Sequence, residues 1–530
     1  MAHAIIFMDR APRTRPDDYT SFHLANPAGP FKVASVVRDM GLDALVVPHC
    51  YNFSFEGLKK IIDNNSKDLL WVGISTTFMG YDSESYDVVE KYRDIWNSES
   101  DCYIDTDFLL QKNQNSYFTH HHNLWSIKEL GKIGFYLEKK FKVPLLLGGM
   151  GRMMSDQQYN PSSPFHRNIH FVKGYAEMYV KEFTQQKLAD SSAQPPLFVN
   201  NTSYDDEEFK LSSIHWKESD FVKEYDWLPI ETARGCAFNC AYCNYPRRSK
   251  FDSYKDPKSL REEIIRNYDK FGVTRYNVID DLYNDSKEKV RILHDEVWSK
   301  LPFEVEWVAN MRLDMIWSDP DSAALLRDGG CKFGQFGVET LHEVAGRKVG
   351  KGLGRKRIIE TLEFLKPIWG NDALVSLNFI AGLPYEPLDS IKETMEWSVT
   401  TDLFYSANWQ PLFIMPPDRL SVASAIKPNK IETDNDHFKV EWLGPNEWQN
   451  SAGVKFSDVA NLCLRTVDIM PTKFKINIRN YMDLRTMGFS HDRIANLKIN
   501  PISDSELKTA ENWAATQIDH RIQSILNMKL

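Results

Sequence analysis

Residues 231–243 have the sequence ETARGCAFNCAYC, and the three cysteines in this stretch guide the interpretation of the whole chain. Cys236, Cys240 and Cys243 follow a C-x3-C-x2-C spacing. Thiolates are soft ligands that suit zinc or an iron–sulfur cluster. A structural zinc normally has a fourth ligand, and the nearest histidines, His215 and His294, are distant in sequence. The spacing therefore favours a cluster with one open iron, while a zinc completed by a distant residue and three idle cysteines stay as alternatives.

Outward from this loop, short apolar strands alternate with helical stretches such as Leu260–Phe271 and Arg357–Leu365. This alternation is typical of a parallel sheet that is covered by its connecting helices. Six such units within 227–425 predict a partial (β/α)6 barrel whose active site lies at the carboxyl ends of the strands. The predicted strands are Pro229–Thr232, Tyr276–Ile279, Val305–Ala309, Phe333–Val338, Val375–Ile380 and Asn408–Phe413.

The stretch 1–190 has the same alternation and predicts a separate α/β domain, Rossmann-like and doubly wound. Residues 191–226 are rich in turn formers and acids, which predicts a linker. Residues 426–530 lose the strand pattern and predict a helical C-terminal cap. The predicted strands of the first domain are Ala4–Met8, Ala44–Val47, Leu69–Ser75, Val143–Leu147 and Ile169–Val172.

The composition is that of a globular protein with several domains, since 42% of the 530 residues are hydrophobic and 26% are charged. A formal net charge of -9 disfavours nucleic acid as a partner. No apolar run is long enough to cross a bilayer, and the N-terminus lacks the pattern of a signal peptide. Seven cysteines without an export signal favour a reducing cytoplasm over a disulfide framework. We therefore expect a soluble cytoplasmic protein that binds no membrane.

The stretch CAFNCAYC (236–243) resembles the signature of the radical S-adenosylmethionine (SAM) superfamily, and five later segments resemble the strand ends of that family's barrel. The resemblance implies a 4Fe–4S cluster on the three cysteines, with the open iron chelating SAM. One electron, from a donor such as flavodoxin or ferredoxin, would cleave a carbon–sulfur bond of SAM and give a 5′-deoxyadenosyl radical or an equivalent species. The five segments are DDLYND (280–285), ANMRLD (309–314), FGVET (336–340), NFIAGLPYE (378–386) and FIMPPDRL (413–420).

The same resemblance implies roles for polar residues at the barrel mouth. Tyr242 would lie against the adenine of SAM, Arg312 would pair with its carboxylate, and Glu339 would bind its amine or ribose. The alternatives are a salt bridge for Arg312 and a buried structural carboxylate for Glu339. One of two adjacent aspartates would face the cofactor while the other caps a helix. These further candidates are Asp280, Asp281 and Asn378.

The order of Rossmann-like domain, linker, cysteine loop and helical tail resembles the radical SAM subfamily with an N-terminal cobalamin-binding domain. The stretch NPAGPFKVASVVRDMGLDALVV (26–47) is similar to the first helix and second strand of that domain. The aspartate–histidine motif that supplies a lower cobalt ligand in many cobalamin proteins is absent after the first strand. Bound cobalamin would lack that ligand or take it from elsewhere. The residues that would contact its nucleotide tail are Ser75, Thr77, Gly148, Gly149 and Gly174.

The sequence thus predicts a radical SAM enzyme that modifies an unreactive carbon, by methylation or by another radical reaction, with cobalamin in the first domain. One alternative is a radical SAM enzyme without cobalamin, whose first domain docks the substrate. An alternative of another class is a non-catalytic binding protein stabilised by zinc or by a cluster. The sequence does not indicate the substrate.

Overall fold

The computed structural model of the chain describes residues 2–8, 24–50, 53–75, 79–80, 123–124, 127–148, 168–201, 206–244, 254–414, 428–444, 447–469 and 476–529. Within these ranges, two six-stranded parallel sheets alternate with helices along the chain. This arrangement confirms the predicted α/β class.

The first sheet contains the first six strands that we label. They are β1 (Ala2–Phe7), β2 (Ala44–Val47), β3 (Ser66–Ser75), β4 (Leu145–Gly148), β5 (Ile169–Gly174) and β6 (Phe198–Asn201). Their spatial order is β2–β1–β3–β4–β5–β6, and every neighbouring pair is parallel. The order reverses between β1 and β3, which is where such sheets open a ligand crevice. The helices are α1 (Ala28–Asp39), α2 (Phe55–Asn65), α3 (Ile127–Lys140) and α4 (Glu177–Ala189).

The second sheet is a partial barrel whose strands follow one another in space as they do in sequence. All of its neighbouring pairs are parallel, and its two edge strands are not paired with each other. The strands are β7 (Trp227–Ile230), β8 (Arg275–Val278), β9 (Glu306–Met311), β10 (Cys331–Glu339), β11 (Leu374–Ala381) and β12 (Ser406–Pro411). The helices are α6 (Pro257–Phe271), α7 (Lys287–Glu296), α8 (Leu313–Ser318), α9 (Ser322–Asp328), α10 (Glu343–Lys348), α11 (Arg355–Trp369) and α12 (Leu388–Thr400).

Local sequence signals fix where the barrel helices begin and end. The Asp256 side chain accepts a hydrogen bond from the Ser259 N–H at 2.7 Å and caps α6, whose first residue is Pro257. The helix ends at Gly272, which has φ +68 and therefore adopts the left-handed conformation that favours glycine. These two helix ends place β8 directly after α6 and bring the carboxyl end of β8 to the barrel mouth.

The segment predicted as a linker differs from the prediction, because it is folded against both domains. It contributes β6 to the edge of the first sheet and a short helix α5 (Asp206–Leu211). The Trp216 ring lies 4.2 Å from the Phe31 ring of α1, centroid to centroid. Arg38 of α1 forms two hydrogen bonds of 2.8 Å to the buried Asp220. The two domains therefore share a continuous hydrophobic core through this segment.

The C-terminal region is mostly helical, but it also contains an antiparallel hairpin, and its last helix packs on the first domain. Buried Ile522 and Ile525 of that helix join the core formed by α2 and the first sheet. The elements are α13 (Lys430–Thr433), α14 (Asn435–Phe438), β13 (Val440–Gly444), β14 (Glu447–Asn450), α15 (Phe456–Ile469), α16 (Ile478–Thr486), α17 (His491–Ala495) and α18 (Asp504–Asn527).

Candidate cofactor site at the cysteine loop

The cysteine loop leaves the end of β7 and is anchored there by Asp280, which follows β8. The buried Asp280 carboxylate accepts hydrogen bonds from the Thr232 N–H (2.6 Å), from the Ala233 N–H (3.0 Å) and from the Thr232 hydroxyl. The Lys289 ammonium of α7 donates to the same carboxylate at 2.8 Å. Both oxygens thus bind protein groups at the start of the loop. Its neighbour Asp281 is half-buried, and burial together with the Asp280 charge raises the pKa of Asp281 to about 7.

The three loop cysteines are half-buried free thiols. The Cys236 sulfur accepts a hydrogen bond from the Phe238 N–H at 3.4 Å, and burial raises the pKa of this thiol. The Cys243 N–H donates to the Cys240 carbonyl at 3.2 Å, which closes a tight turn between the last two cysteines. The thiols therefore sit on one ordered loop that has access to solvent.

The donor set suits an iron–sulfur cluster, because three free thiols lie on one loop and thiolates are the ligands that such a cluster takes. Hydrogen bonds to the sulfurs tune a bound cluster. Among the residues that the structure describes, no three His, Cys, Asp or Glu side chains are grouped closely enough to hold a single metal ion. The other described cysteines, Cys50, Cys331 and Cys463, are buried in cores apart from the loop.

Arg312, at the end of β9, lies on the loop and contacts one of the cysteines. Its Nη1 lies 3.3 Å from the Cys240 sulfur, and its guanidinium stacks over the Phe238 ring at 3.9 Å. Its Nε and Nη2 donate to the Asp314 carboxylate at 2.9 and 2.6 Å. Although burial opposes the charge, Asp314 raises the pKa of Arg312. The carboxylate partner in the structure is thus Asp314, and the same guanidinium also contacts the Cys240 sulfur.

Tyr242 and Glu339 meet on the other side of the same loop. The Tyr242 hydroxyl donates to Glu339 Oε1 at 2.8 Å, and the Lys351 ammonium lies 3.3 Å from the same oxygen. Burial, and then the Glu339 charge, raises the pKa of Tyr242 well above its usual value. Glu339 has φ +69 at an irregularity of β10, so the backbone is turned to bring this carboxylate to the barrel mouth.

Two supports of the loop come from distant segments that the sequence did not reveal. The Val349 carbonyl accepts the Ala241 N–H at 3.0 Å, and the next residue, Gly350 with φ +84, approaches Cys240 closely. The Ala241 carbonyl in turn accepts the Lys430 N–H of α13 at 2.9 Å. The glycine after the helix α10 was the only available signal for the first support. The second depends on how the C-terminal region folds back over the loop.

The carboxyl edge of the first sheet carries several of the predicted nucleotide-tail residues. Ser75 at the end of β3 pairs with Gly148 of β4, and Gly148 pairs with Val172 of β5. Gly174 ends β5 with φ +87, a conformation that favours glycine. Thr77 and Gly149, also predicted there, lie outside the described residues.

The remaining candidate, Asn378, lies inside the barrel on β11, below the mouth.

Ion pairs join this edge of the first sheet to the cysteine loop. Arg234, two residues before the first cysteine, bonds to Glu177 at the start of α4 and to Glu231 after β7 at 3.1 Å. Lys32 of α1 bonds to the same Glu231. Although burial opposes it, the charges of Arg234 and Lys32 lower the pKa of Glu177. The carboxyl ends of the two sheets therefore face each other across the loop.

A buried carboxyl group behind the site makes folding dependent on pH. Burial raises the pKa of Glu386 from 4.5 to about 7; the Thr340 hydroxyl bonds to one oxygen, and the other has no partner among the described residues. The folded state therefore binds the Glu386 proton more tightly than the unfolded state does. The stability that this proton contributes is present below pH 4.5 and is lost as the pH rises through 7. From pH 5 to pH 8, we expect the free energy of unfolding of the Glu386→Gln variant to rise by about 2.5 kcal/mol relative to that of the natural protein.

Urea unfolding of both proteins at the two pH values measures this gain. Glu393→Gln, on the exposed side of α12, is the matched control and should track the natural protein. Parallel pH dependence for Glu386→Gln and the natural protein would show that Glu386 is already ionised when folded.

A loop of three cysteines at the mouth of a partial parallel barrel defines a class of protein. Residues 230–398 match the model of the radical SAM superfamily, from the last residue of β7 through α12 almost to its end. The chain thus contains a radical SAM domain over these residues, which confirms the resemblance inferred from the sequence.

Curated relatives match part of the chain. An uncharacterized methyltransferase of Pyrococcus horikoshii is 23% identical over 200 residues, which is 35% of this chain and 42% of the relative. The anaerobic magnesium-protoporphyrin IX monomethyl ester cyclase of Cereibacter sphaeroides is 25% identical over 210 residues, 38% of this chain and 33% of the relative. The chain therefore matches less than half the length of these relatives.

Solved structures extend the likeness to the whole fold. The radical SAM methyltransferase TsrM of Kitasatospora setae, with cobalamin and a [4Fe-4S] cluster bound, matches with a TM-score of 0.58 at 12% identity, over 97% of this chain and 100% of that chain. The cobalamin-dependent SAM radical enzyme OxsB, with aqua-cobalamin and SAM bound, matches with a TM-score of 0.50 at 12% identity, over 98% of this chain and 72% of that chain. These matches confirm the predicted order of a Rossmann-like domain and a radical SAM barrel.

Membrane-spanning helices are not found among the described residues, because none of their helices is both long and apolar enough.

Proposed function

We propose that this protein is a radical SAM enzyme that modifies an unreactive carbon, by cobalamin-dependent methyl transfer or by a related radical reaction. The observation that carries the proposal is the position of the cysteine loop. It lies at the mouth of the barrel and faces the carboxyl edge of the first sheet through the Arg234–Glu177 ion pair. Two cofactors, one at each edge, would then meet in a single space.

Cys236, Cys240 and Cys243 would hold a 4Fe–4S cluster, and when bound it supplies the electron that cleaves SAM. The protein's own groups prepare the site. Arg312 donates to the Cys240 sulfur and would orient this ligand. Tyr242 and Glu339 offer a hydroxyl and a carboxylate next to the loop, where the carboxylate suits the SAM amine or ribose hydroxyls. The closed lower end of the barrel excludes water from this side.

For the first domain, cobalamin is the better of two proposals. Its sheet ends in Ser75, Gly148 and Gly174, which provide a hydroxyl and two positions where backbone can approach a bound group closely. TsrM and OxsB, which share the fold, are described with cobalamin bound. The second proposal, a first domain that docks substrate without cobalamin, uses the same edge of the sheet.

Anaerobic purification and cluster reconstitution of the full chain test the proposal. We expect about four irons and four sulfides per chain, and cobalamin retained with its visible spectrum. With SAM and dithionite, we expect 5′-deoxyadenosine or S-adenosylhomocysteine to form. Zinc in place of iron, with SAM left intact, would favour the non-catalytic binding protein. An active cluster without retained cobalamin would favour the substrate-docking first domain.

We also propose a reducing cytoplasmic compartment and a flavodoxin or ferredoxin as the electron donor. The six described cysteines are free thiols, which suits such a compartment. Replacing dithionite by a flavodoxin and its reductase in the same assay should sustain SAM cleavage. Failure of both flavodoxin and ferredoxin to do so would contradict this choice of donor.

A further inference from the structure

The inward face of the barrel differs in chemistry from its outward face. Along β11, Leu377 and Phe379 point outward and belong to the core shared with the barrel helices. Asn378 lies between them and is half-buried, so it points into the barrel. On β12, Ala407 and Trp409 belong to the same outer core, which turns Asn408 inward. The same alternation on the other strands identifies the residues that line the interior.

The middle of the interior is lined by carboxamide side chains. Each strand from β8 to β11 contributes one, and β12 contributes two. The six residues are Asn277, Asn310, Gln335, Asn378, Asn408 and Gln410. All six are half-buried or exposed, whereas their outward neighbours on the strands are buried.

These amides keep hydrogen-bonding capacity for a ligand. Asn277, Asn378 and Gln410 form no side-chain hydrogen bond within the described chain. The Gln335 amide donates to Asn310 Oδ1 at 3.3 Å and accepts the Ile478 N–H of α16 at 3.3 Å. The Asn408 amide donates to the Ser376 hydroxyl at 3.1 Å, which leaves its oxygen available.

Charged pairs lie above and below this amide layer, and among the described residues the layer itself contains no charged side chain. At the mouth, Arg312 pairs with Asp314 and Glu339 with Lys351. At the lower end, Glu306 binds Arg485 at 2.6 Å. An ionised group placed in the amide layer would therefore be desolvated without a counter-charge, which is costly. A purely apolar group would leave the amides without partners, which also opposes binding.

We propose that the amide layer binds an uncharged part of the substrate that carries amide-type N–H donors and C=O acceptors, as a peptide or lactam does. This inference rests on the proposed function, since it places the substrate below the cysteine loop. A carboxamide offers two donors and one acceptor oxygen, so paired carboxamides match such a group with complementary hydrogen bonds. Asn378 and Asn408, which are paired neighbours on β11 and β12, form the centre of the layer.

Ligand-observed saturation-transfer NMR on the full, reconstituted chain tests this specificity with probes of similar size. The probes are N-acetylalanine methylamide, its free carboxylate N-acetylalanine, its free amine alanine methylamide, and butyl methyl ether, which has no donor. We expect the neutral diamide to bind tightest. Asn378→Leu and Asn408→Leu should each weaken its binding by about fivefold or more, through the loss of hydrogen bonds.

Gln185→Leu, an exposed amide on α4, is the matched control and should leave diamide binding unchanged. Thermal unfolding shows whether each variant is folded, and having two leucine variants keeps the test decisive if one misfolds. Equal or tighter binding of a charged probe or of the ether, or diamide binding that neither variant weakens, would overturn the proposal. Because binding is read without SAM cleavage, a protein that cleaves SAM but ignores the diamide would overturn this inference alone.

Discussion

The Cys240→Ala variant is expected to lose the iron–sulfur cluster and, with it, SAM cleavage by more than about 1000-fold. Cys240 is the cysteine whose sulfur receives the Arg312 guanidinium at 3.3 Å, and Gly350 approaches it closely. Removing partners that only orient a ligand already costs about 10–100-fold, and removing the ligand itself costs more. Iron and sulfide counts together with 5′-deoxyadenosine formation measure the effect.

The matched control is Cys463→Ala, because Cys463 is a buried cysteine of α15 that lies away from the loop. It should keep full iron content and activity. A Cys240→Ala protein with unchanged iron content and SAM cleavage would remove Cys240 from the cluster ligands and contradict the proposed function.

Replacing Asp280 is expected to destabilise the barrel by about 3 kcal/mol. The Asp280→Ala variant would leave the Thr232 and Ala233 N–H groups without their acceptor at the start of the cysteine loop. It would also leave the fully buried Lys289 ammonium with one carboxylate among the described residues, Asp285 at 3.7 Å, beside the Leu282 carbonyl at 3.1 Å. Removing one partner of a buried ion pair costs more than the pair itself contributes. Urea unfolding measures the loss.

The Asp280→Ala, Lys289→Met double variant separates the two contributions. It should recover part of the lost stability, because the uncompensated charge is gone while the loop hydrogen bonds are still missing. If Asp280→Ala kept full stability and lost SAM affinity instead, Asp280 would be a cofactor ligand, as the family resemblance implied.

The sequence was sufficient to predict the elements that depend on local pattern. The strand predicted at Ala44–Val47 agrees with β2, and the others agree with the structure apart from shifts at their ends. The cysteine motif could be recognised from the sequence because its three residues are close together in one loop, so its recognition does not depend on distant residues. The resemblance placed Glu339 and Asn378 at the barrel mouth; Glu339 ends β10 there, whereas Asn378 lies below the mouth on β11.

Contacts between distant segments were not predictable. Asp280 was assigned to a cofactor because its position matched a motif, but its partners, Thr232 and Lys289, are brought to it only by the folded barrel. Arg312 was likewise assigned to SAM by the resemblance, and only the folded barrel brings it to the sulfur of Cys240, 72 residues away in sequence. A motif gives the position of a side chain, whereas its hydrogen-bond partner depends on packing.

The packing of the segment 191–226, which was predicted as a linker, was missed for a related physical reason. Its acids and turn formers resemble a solvated connection, yet Asp220 pairs with the buried Arg38 and Trp216 packs on the first domain. Composition does not distinguish an exposed acid from one that neutralises a buried base.

The packing of α18 has a consequence for how the protein is made in the cell. Ile522 and Ile525 complete the apolar core that also contains Leu58 and Ile61 of α2. During synthesis, this face of the first domain must wait until α18, which follows the whole barrel in the chain, has left the ribosome. The nascent chain therefore carries an uncovered apolar surface while the barrel is being made, which makes it a natural client for chaperones that bind early.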